Sequence, residues 1–386
     1  MSGFWLQHQV SILVFLAVLL CIATSNLFSL RRLGSYALPR RFPRLSVLIP
    51  ARNEAATIAC CVRSLLAQDY PDFEIIVLDD NSSDGTRRVL EELGSVGGRL
   101  RMLAGAALPP GWLGKLWACQ QLLAAAEGEL LLFTDADTCH DPQTLRRAVA
   151  ALFADGADLL TVLPEERALS WGEKLALPLI HWSVMSFLPL WLAQRLQAPA
   201  LSVTIGQFML VRRSALEQIG AFTSIRQQVL DDMALGRAVK AQGLRWRLVD
   251  SGGHVSCRMY AGLRECFEGF GKNLFAIFGY RVVPYVLIWT WLGTVFLEPP
   301  VVLVLTGVGI RLPWLSPTLS ELAVVEALLL WGLLVLRFRL PLPLLLIYPV
   351  AAALHICIAM YSLVLNLSGR ALWKGRRLQK RRLRWI

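Results

Sequence analysis

At 386 residues, with 55% hydrophobic and only 17% charged, the chain is too apolar to be wholly soluble, since soluble domains carry about 25% charged residues. Ordinary numbers of Asp, Glu, Arg and Gly between residues 31 and 158 equally exclude a chain buried wholly in a membrane. The formal charge, 39 − 28 = +11, is uneven: residues 1–30 have no Asp, Glu, Lys or Arg, whereas residues 369–386 have eight basic residues and no acid. Beside apolar segments, such a tail reads as a contact for anionic lipid headgroups. Nucleic-acid binding has no aromatic or motif support elsewhere in the chain and is not expected.

In chain order, the first element is an uncharged run of 21 residues, 10–30, long enough for one spanning helix at 1.5 Å per residue. It lacks the basic start and small-residue cleavage site of a secretory signal. Arg31, Arg32, Arg40, Arg41 and Arg44 follow with no acid among them. The positive-inside rule then puts the N-terminus outside and the next segment in the cytoplasm. Residues 1–30 are read as a transmembrane helix of a multi-pass protein of the inner cell membrane.

Three apolar runs come next: LSVLIP (45–50), EIIVL (74–78) and LLLF (130–133), with a helix-like stretch at 55–68. Strands alternating with helices predict an α/β domain with a mostly parallel sheet, over residues 31–280. Ligands of such sheets bind beyond the carboxyl ends of the strands, where this chain places Asp79-Asp80 and Asp135-Ala136-Asp137. Two carboxylates one residue apart offer hard oxygen ligands to Mg²⁺ or Mn²⁺. Asp84, followed by Gly85 and Thr86, reads as a turn and helix cap.

Within this domain, residues 175–193 are uncharged and apolar, broken by Pro178 and Pro189. They are expected to lie in the membrane interface or dip into it, with Trp182 and Trp191 at headgroup depth; a buried core helix is the alternative. Residues 281–368 hold three further apolar stretches, 282–310, 319–336 and 342–367. Pro299-Pro300 offers a point where the first of these could turn back. If each stretch crosses once, the basic tail (369–386) lands outside, against the positive-inside rule. The eight cysteines show no C-x-x-C pair or metal-ligand spacing and are expected to be buried thiols.

The strings LSVLIPARNEAATIACCVRSLLAQDYPDFEIIVLDDNSSDGT, GKLWACQQ, DAD and LDDMALG, in this order, resemble family 2 glycosyltransferases of the GT-A fold over about residues 45–280. The flanking helices and RMYAGLRECFEGFGKNLFA resemble the membrane-bound branch that glycosylates lipids, including carotenoid- and hopanoid-associated enzymes and ceramide glucosyltransferases. The resemblance implies that Pro50, Ala51 and Glu54 line the pocket for the base and ribose. It implies that Asp80 binds the base or ribose and that Lys115, after Gly114, approaches the uridine or phosphates. Asp135 and Asp137 would hold the metal and the donor, Asp137 directly. Asp232 would stand as general base, with Asp231 in place of the usual Glu. His254 is a candidate third metal ligand, and Arg258, Lys272 and Asn273 are candidates for the membrane surface near the phosphates.

The resemblance implies an inverting, metal-dependent transfer of one sugar from a nucleotide-diphosphate sugar, a UDP-sugar, to a membrane lipid hydroxyl. The chain lacks the Q-x-x-R-W motif of processive synthases, which favours single transfer over polymerisation. A carotenoid or other terpenoid acceptor is favoured by RMYAGLRECFEGFGKNLFA. A polyprenyl phosphate, ceramide or diacylglycerol acceptor and a catalytically inactive membrane scaffold are the alternatives. A transporter would need more intramembrane polar groups than Glu298, Glu321 and Glu326.

Overall fold

The computed structural model describes residues 2–94, 98–369, 372–373, 376–377 and 383–385, so most of the basic tail lies outside the described residues. The chain forms two compact units. An α/β unit comprises Leu30–Arg167 and Trp191–Met259; a helical unit comprises the described parts of Met1–Ser29, Ala168–Leu190 and Tyr260–Ile386. Residues 168–190 and 260–280, grouped with the α/β domain in the sequence reading, therefore belong to the helical unit.

The α/β unit contains β1 (Leu45–Ala51), β2 (Phe73–Asp79), β3 (Leu100–Ala104), β4 (Leu130–Thr134), β5 (Thr138–His140), β6 (Leu159–Leu163), β7 (Glu165–Glu166), β8 (Phe208–Arg212), β9 (Trp246–Asp250) and β10 (Val255–Cys257). Seven of these strands form one sheet in the order β3-β2-β1-β4-β8-β6-β9. Only β8 runs against its neighbours. The continuous Leu, Val and Ile of β1, β2, β4 and β6 are buried, as a sheet covered on both faces requires. The helices Ile58–Leu66 and Thr144–Ala154 supply Cys61, Val62, Leu65, Leu145, Val149 and Leu152 to the core on one face.

This topology assembles one edge. β1, β2 and β4 are parallel, so Ala51, Asp79 and Thr134 end together, and the Asp80 amide donates to the Ala51 carbonyl at 2.8 Å. Because β8 is antiparallel to β4, its first residue, Phe208, lies opposite Thr134, the last of β4. The segment leading into β8 thus arrives at the same edge. A second, three-stranded sheet, β5-β10-β7, starts directly after Asp137 and sets Thr138, Cys257 and Glu166 abreast. Cys60 and Cys139, 79 residues apart, are joined by a disulfide, against the expectation of thiols throughout. Packing of the Ile58–Leu66 helix on β5 brings them together, a contact that spacing along the chain does not reveal.

The helical unit is built from α1 (Ser2–Ser29), α2 (Pro178–Phe187), α3 (Leu263–Ile277), α4 (Val282–Gly307), α5 (Pro317–Phe338) and α6 (Tyr348–Leu367). Four of these, α1 from Gly3 onward, α4, α5 and α6, are long and apolar enough to cross a membrane. Pro299-Pro300 does not turn the chain back; α4 continues through both. α1 runs antiparallel to α4, with His8 on Glu298 at 3.0 Å and Phe15 against Trp291. Gln9 bonds Ser316 and Ser320 at the start of α5, so α1 and α5 start at the same end of the unit.

The last helix departs from simple alternation. α6 is antiparallel to α4: Tyr348 meets Phe296, and the Tyr285 hydroxyl donates to the Ala359 carbonyl at 2.8 Å. It therefore runs in the same direction as α5. It begins level with the middle of α4, about 21 Å from Val282 at 1.5 Å per residue. It ends on α3, where Ser362 and Asn366 bond the Gly271 carbonyl. Farther along, the Val282 amide donates to the Arg384 carbonyl, so the described end of the tail returns to the start of α4.

Pro178 opens α2 and Pro189 follows its end, as their missing N–H groups dictate. Ten residues reach about 15 Å, half a bilayer core, so α2 by itself is too short to span one. The expected position of Trp182 at headgroup depth is not what the structure shows. Trp182 is buried inside the unit against Phe187, Phe296 and His355. Asn26 of α1 secures the end of α2: its amide donates to the carbonyls of Met185 at 3.0 Å and Leu188 at 2.7 Å, and its oxygen accepts the Leu190 amide at 2.9 Å.

Candidate active site

Two turns follow the ends of β1 and β2. Asn53 and Asn81 both adopt positive φ (53° each), a conformation that Asn tolerates. The turns interlock: Arg52 donates to the Asn81 carbonyl at 3.1 Å, and Asn53 accepts the Ser83 amide at 2.8 Å. Pro50 and Ala51 close β1 at this edge, and Asp80 is buried beside them. The Glu54 amide donates to the Thr86 hydroxyl at 2.8 Å. Asp84 accepts from the Ala55 and Thr86 amides, which confirms it as a turn and cap residue.

After β4 comes the D-x-D pair. Asp135 Oδ1 lies 2.7 Å from the Lys115 ammonium, which also reaches Asp231 at 3.5 Å. Lys115 sits in the first turn of the helix Gly114–Ala125, and Asp231 and Asp232 open the helix Asp231–Ala241. Carboxylates suit that position because the first-turn amides have no partners within the helix. Burial works against the Lys115 charge, but the carboxylates of Asp135 and Asp231 more than offset it and hold its pKa well above the usual value.

Asp232 Oδ2 accepts the Gly206 amide at 3.1 Å, in the segment that β8's direction delivers to this edge. A side chain at 206 would stand 3.2 Å from that oxygen and 3.5 Å from the Lys115 ammonium, so this approach suits glycine. Burial, reinforced by the neighbouring Asp231 charge, pushes the Asp232 carboxyl up to about 7. Asp137 is raised to about 7 by burial and by the charges of Asp135 and Glu54. Its Oδ1 is buried with no hydrogen-bond partner. An orphaned carboxylate oxygen beside Asp135 fits a divalent cation whose remaining ligands come from phosphates and water, the usual Mg²⁺ arrangement. Among the described residues, no group of three or more His, Cys, Asp or Glu could hold such an ion by itself.

His254 does not join the D-x-D pair. β10 pairs with β5 so that Cys257 faces Thr138, which puts residue 254 opposite Asp141, about 13 Å along the strands from Asp137. Its Nδ1 lies 3.2 Å from Asp141 Oδ1. The Arg258 amide donates to the Asp137 carbonyl at 3.3 Å while its side chain is exposed; Lys272 and Asn273 lie on α3 of the helical unit. The structure adds three residues that the sequence reading passed over. The Cys257 thiol is pushed well up by burial and by the Asp137 charge, Gly206 holds Asp232, and Glu166 is pushed up to about 8 by burial and by the Asp137 charge. Only Glu166 had a signal, the Glu165-Glu166 pair that ends an apolar run much as Asp79-Asp80 does.

The family model described as glycosyl transferase family 2 matches residues 46–220, which contain both the strand-end turns and the D-x-D pair. Over these residues the chain matches a family 2 glycosyltransferase domain. Relatives of this domain include a beta-monoglucosyldiacylglycerol synthase from Trichormus variabilis, 28% identical over 226 residues, covering 58% of this chain and 45% of that protein. Another is the 4,4'-diaponeurosporenoate glycosyltransferase of Staphylococcus haemolyticus, 25% identical over 236 residues and covering 60% of each. The chain thus spans about half the length of these relatives. The mannosyltransferase PcManGT from Pyrobaculum calidifontis, solved with GDP-Man and Mn2+, superposes with a TM-score of 0.55 at 18% identity, over 93% of this chain and 99% of its own. That likeness shows the fold: a GT-A domain with a mostly parallel sheet, accompanied by membrane-length helices.

Proposed function

We propose that the protein is an inverting glycosyltransferase that moves one sugar from a nucleotide-diphosphate sugar, a UDP-sugar, to a hydroxyl of a membrane lipid. The observation that carries this is the convergence of Asp135, Asp137, Asp231 and Asp232 around Lys115 at the strand ends of a family 2 domain. Breaking the bond between sugar and diphosphate leaves growing negative charge on the phosphates and calls for removal of a proton from the attacking hydroxyl. Glu54, Pro50, Ala51 and Asp80 lie where the strand-end turns would hold base and ribose. Asp137 and Asp135 would hold a Mg²⁺ or Mn²⁺ ion, which when bound neutralises the departing diphosphate. Lys115 adds a fixed positive charge to the same group.

Asp232 is the better base of the acidic pair. Asp231 is engaged with the Lys115 ammonium at 3.5 Å, whereas Asp232 is raised to about 7 and so takes a proton readily near neutral pH. A lipid acceptor is supported by the four membrane-length helices and by the named relatives, one a synthase of a monoglucosyldiacylglycerol and one a glycosyltransferase of diaponeurosporenoate.

The directions of the helices support a cytoplasmic site. With α6 starting at mid-depth and running the same way as α5, residues 339–347 form a return arm, and the chain crosses three times. The end of α1, which leads directly into Arg31 and Arg32, then shares one side with Arg337, Arg339 and the described end of the tail, leaving Arg311 on the other. This satisfies the positive-inside rule and removes the conflict of four crossings. Incubation of the purified protein with labelled UDP-glucose and total lipid of its source, followed by mass spectrometry, tests the assignment. Label in a lipid glycoside supports it; label only in water-soluble oligosaccharide overturns it.

A further inference from the structure

Asp232 is held at both oxygens. Its Oδ1 accepts the Met233 amide at 2.7 Å within its own helix, and its Oδ2 accepts the Gly206 amide at 3.1 Å from the segment before β8. The second bond is only as steady as the peptide that makes it, which joins Ile205 to Gly206. That peptide lies in a turn closed by the Phe208 amide, which donates to the Ile205 carbonyl at 3.2 Å. The β6–β8 ladder stops at Thr161 and Met209, short of this turn. There the Thr161 hydroxyl takes over: it accepts the Ile205 amide at 2.8 Å and donates its own proton to the Ile205 carbonyl at 3.1 Å. The carbonyl so gripped belongs to the same peptide whose N–H donates to Asp232. On the other side of Gly206, the Thr134 hydroxyl donates to the Gln207 carbonyl at 2.7 Å. Thr161 is fully buried in the otherwise apolar strand LLTVL, where a hydroxyl is costly unless it is hydrogen-bonded.

We propose that Thr161 is a positioning residue for the reaction: its hydroxyl locks the Ile205–Gly206 peptide, whose N–H holds the Asp232 carboxylate in the orientation that takes the acceptor's proton. This rests on the glycosyl-transfer reading above, in which Asp232 is the base. The bonds of the Thr161 hydroxyl are to backbone, so it acts on the reaction through Gly206. Without that hydroxyl the Ile205 amide is left unpaired in a buried place, and the turn gains by rotating to find it a partner. Such a rotation swings the Gly206 N–H away from Oδ2 and lets the carboxylate turn. A second effect has the same sign: two donors on the Ile205 carbonyl polarise the peptide and strengthen its N–H as a donor. Proton transfer needs the base within about 2.6–3.2 Å of the reacting oxygen, so a small turn of Asp232 is felt in the rate. Donor binding is held separately, by the Thr138 hydroxyl on the Asp135 carbonyl at 2.8 Å and by Lys115 on the Asp135 carboxylate at 2.7 Å.

The test uses the full-length protein in detergent with Mn2+, labelled UDP-glucose or GDP-mannose, and total lipid of its source. Thr161→Val preserves the shape and removes the hydroxyl, Thr161→Ser keeps the hydroxyl without the methyl group, and Thr161→Ala removes both. With the sugar that the wild type transfers, Thr161→Val and Thr161→Ala should lower the maximal rate about 10- to 100-fold and bind the nucleotide sugar as before. Thr161→Ser should stay close to the wild type in both measurements. Unchanged rates for Thr161→Val and Thr161→Ala would overturn the inference. Equal loss of rate and of donor binding, or a Thr161→Ser as slow as Thr161→Val, would assign Thr161 to packing of the sheet and overturn it as well. Failure of both hydroxyl-free variants to fold, read from thermal unfolding, would do the same. A wild type that transfers neither sugar would instead overturn the glycosyl-transfer reading, and this inference with it.

Discussion

At the scale of single residues, burial does most of the chemical tuning. Asp137 and Asp232 are both raised to about 7, and in each case loss of solvent is the leading cause, with a neighbouring acid second. The base must be ionised to act, so kcat/KM should fall about tenfold per pH unit below about pH 7 and level off above it. Asp232→Asn should keep donor binding and lose transfer. If Asp231→Asn behaves this way and Asp232→Asn does not, the two roles are reversed. Asp137→Ala should abolish transfer while the protein still folds and inserts, and wild-type activity should require a divalent cation. Full turnover in excess chelator would remove the metal role. The D-x-D pair was legible because both carboxylates follow directly on an apolar strand. Gly206 was not, because its importance depends on a hydrogen bond to a residue 26 positions farther along the chain.

Individual elements show how a polar side chain can organise an apolar segment. α2 is too short to cross and ends without continuing its hydrogen-bond ladder, leaving carbonyls that need donors. Asn26, fully buried, supplies them and also accepts the Leu190 amide. Asn26→Leu, similar in volume, strips these bonds at once and should destabilise the helical unit by about 3 kcal/mol or more. Thermal unfolding in detergent checks this; an unchanged midpoint would show that other groups or water satisfy α2. In the sequence, Asn26 is one uncharged residue within an apolar run, with no partner in reach along the chain. The prolines that bound α2 were legible for the opposite reason: a missing N–H acts locally, whatever surrounds it.

For the whole molecule, helix direction decides sidedness. In a background lacking exposed Cys21 and Cys357, single cysteines at Gly172, Gln197 and Ser368 should be labelled from the cytoplasmic side, and one at Gly309 from the outside. Labelling of Ser368 from outside would mean that α6 crosses fully and that the charge rule is broken at the tail. Labelling of Gly172 and Gln197 from opposite sides would separate Asp137 from Asp232 and dismantle the proposed site.

The amino-acid sequence by itself determined the α/β class, the first membrane helix, the strand-end acids and the family. These depend on local signals: apolar runs, breakers, and motifs carried on one strand or helix. Tertiary structure alone decided the partners of His254, the Cys60–Cys139 bond, the burial of Trp182, the approach of Gly206 and Glu166 to the acids, and the return of α6. Each of those depends on segments that pack against one another far apart in the chain. Hydropathy counts apolar length and carries no direction, so the number of crossings stayed open in the sequence, and only the contacts of the four membrane-length helices show which way each one runs.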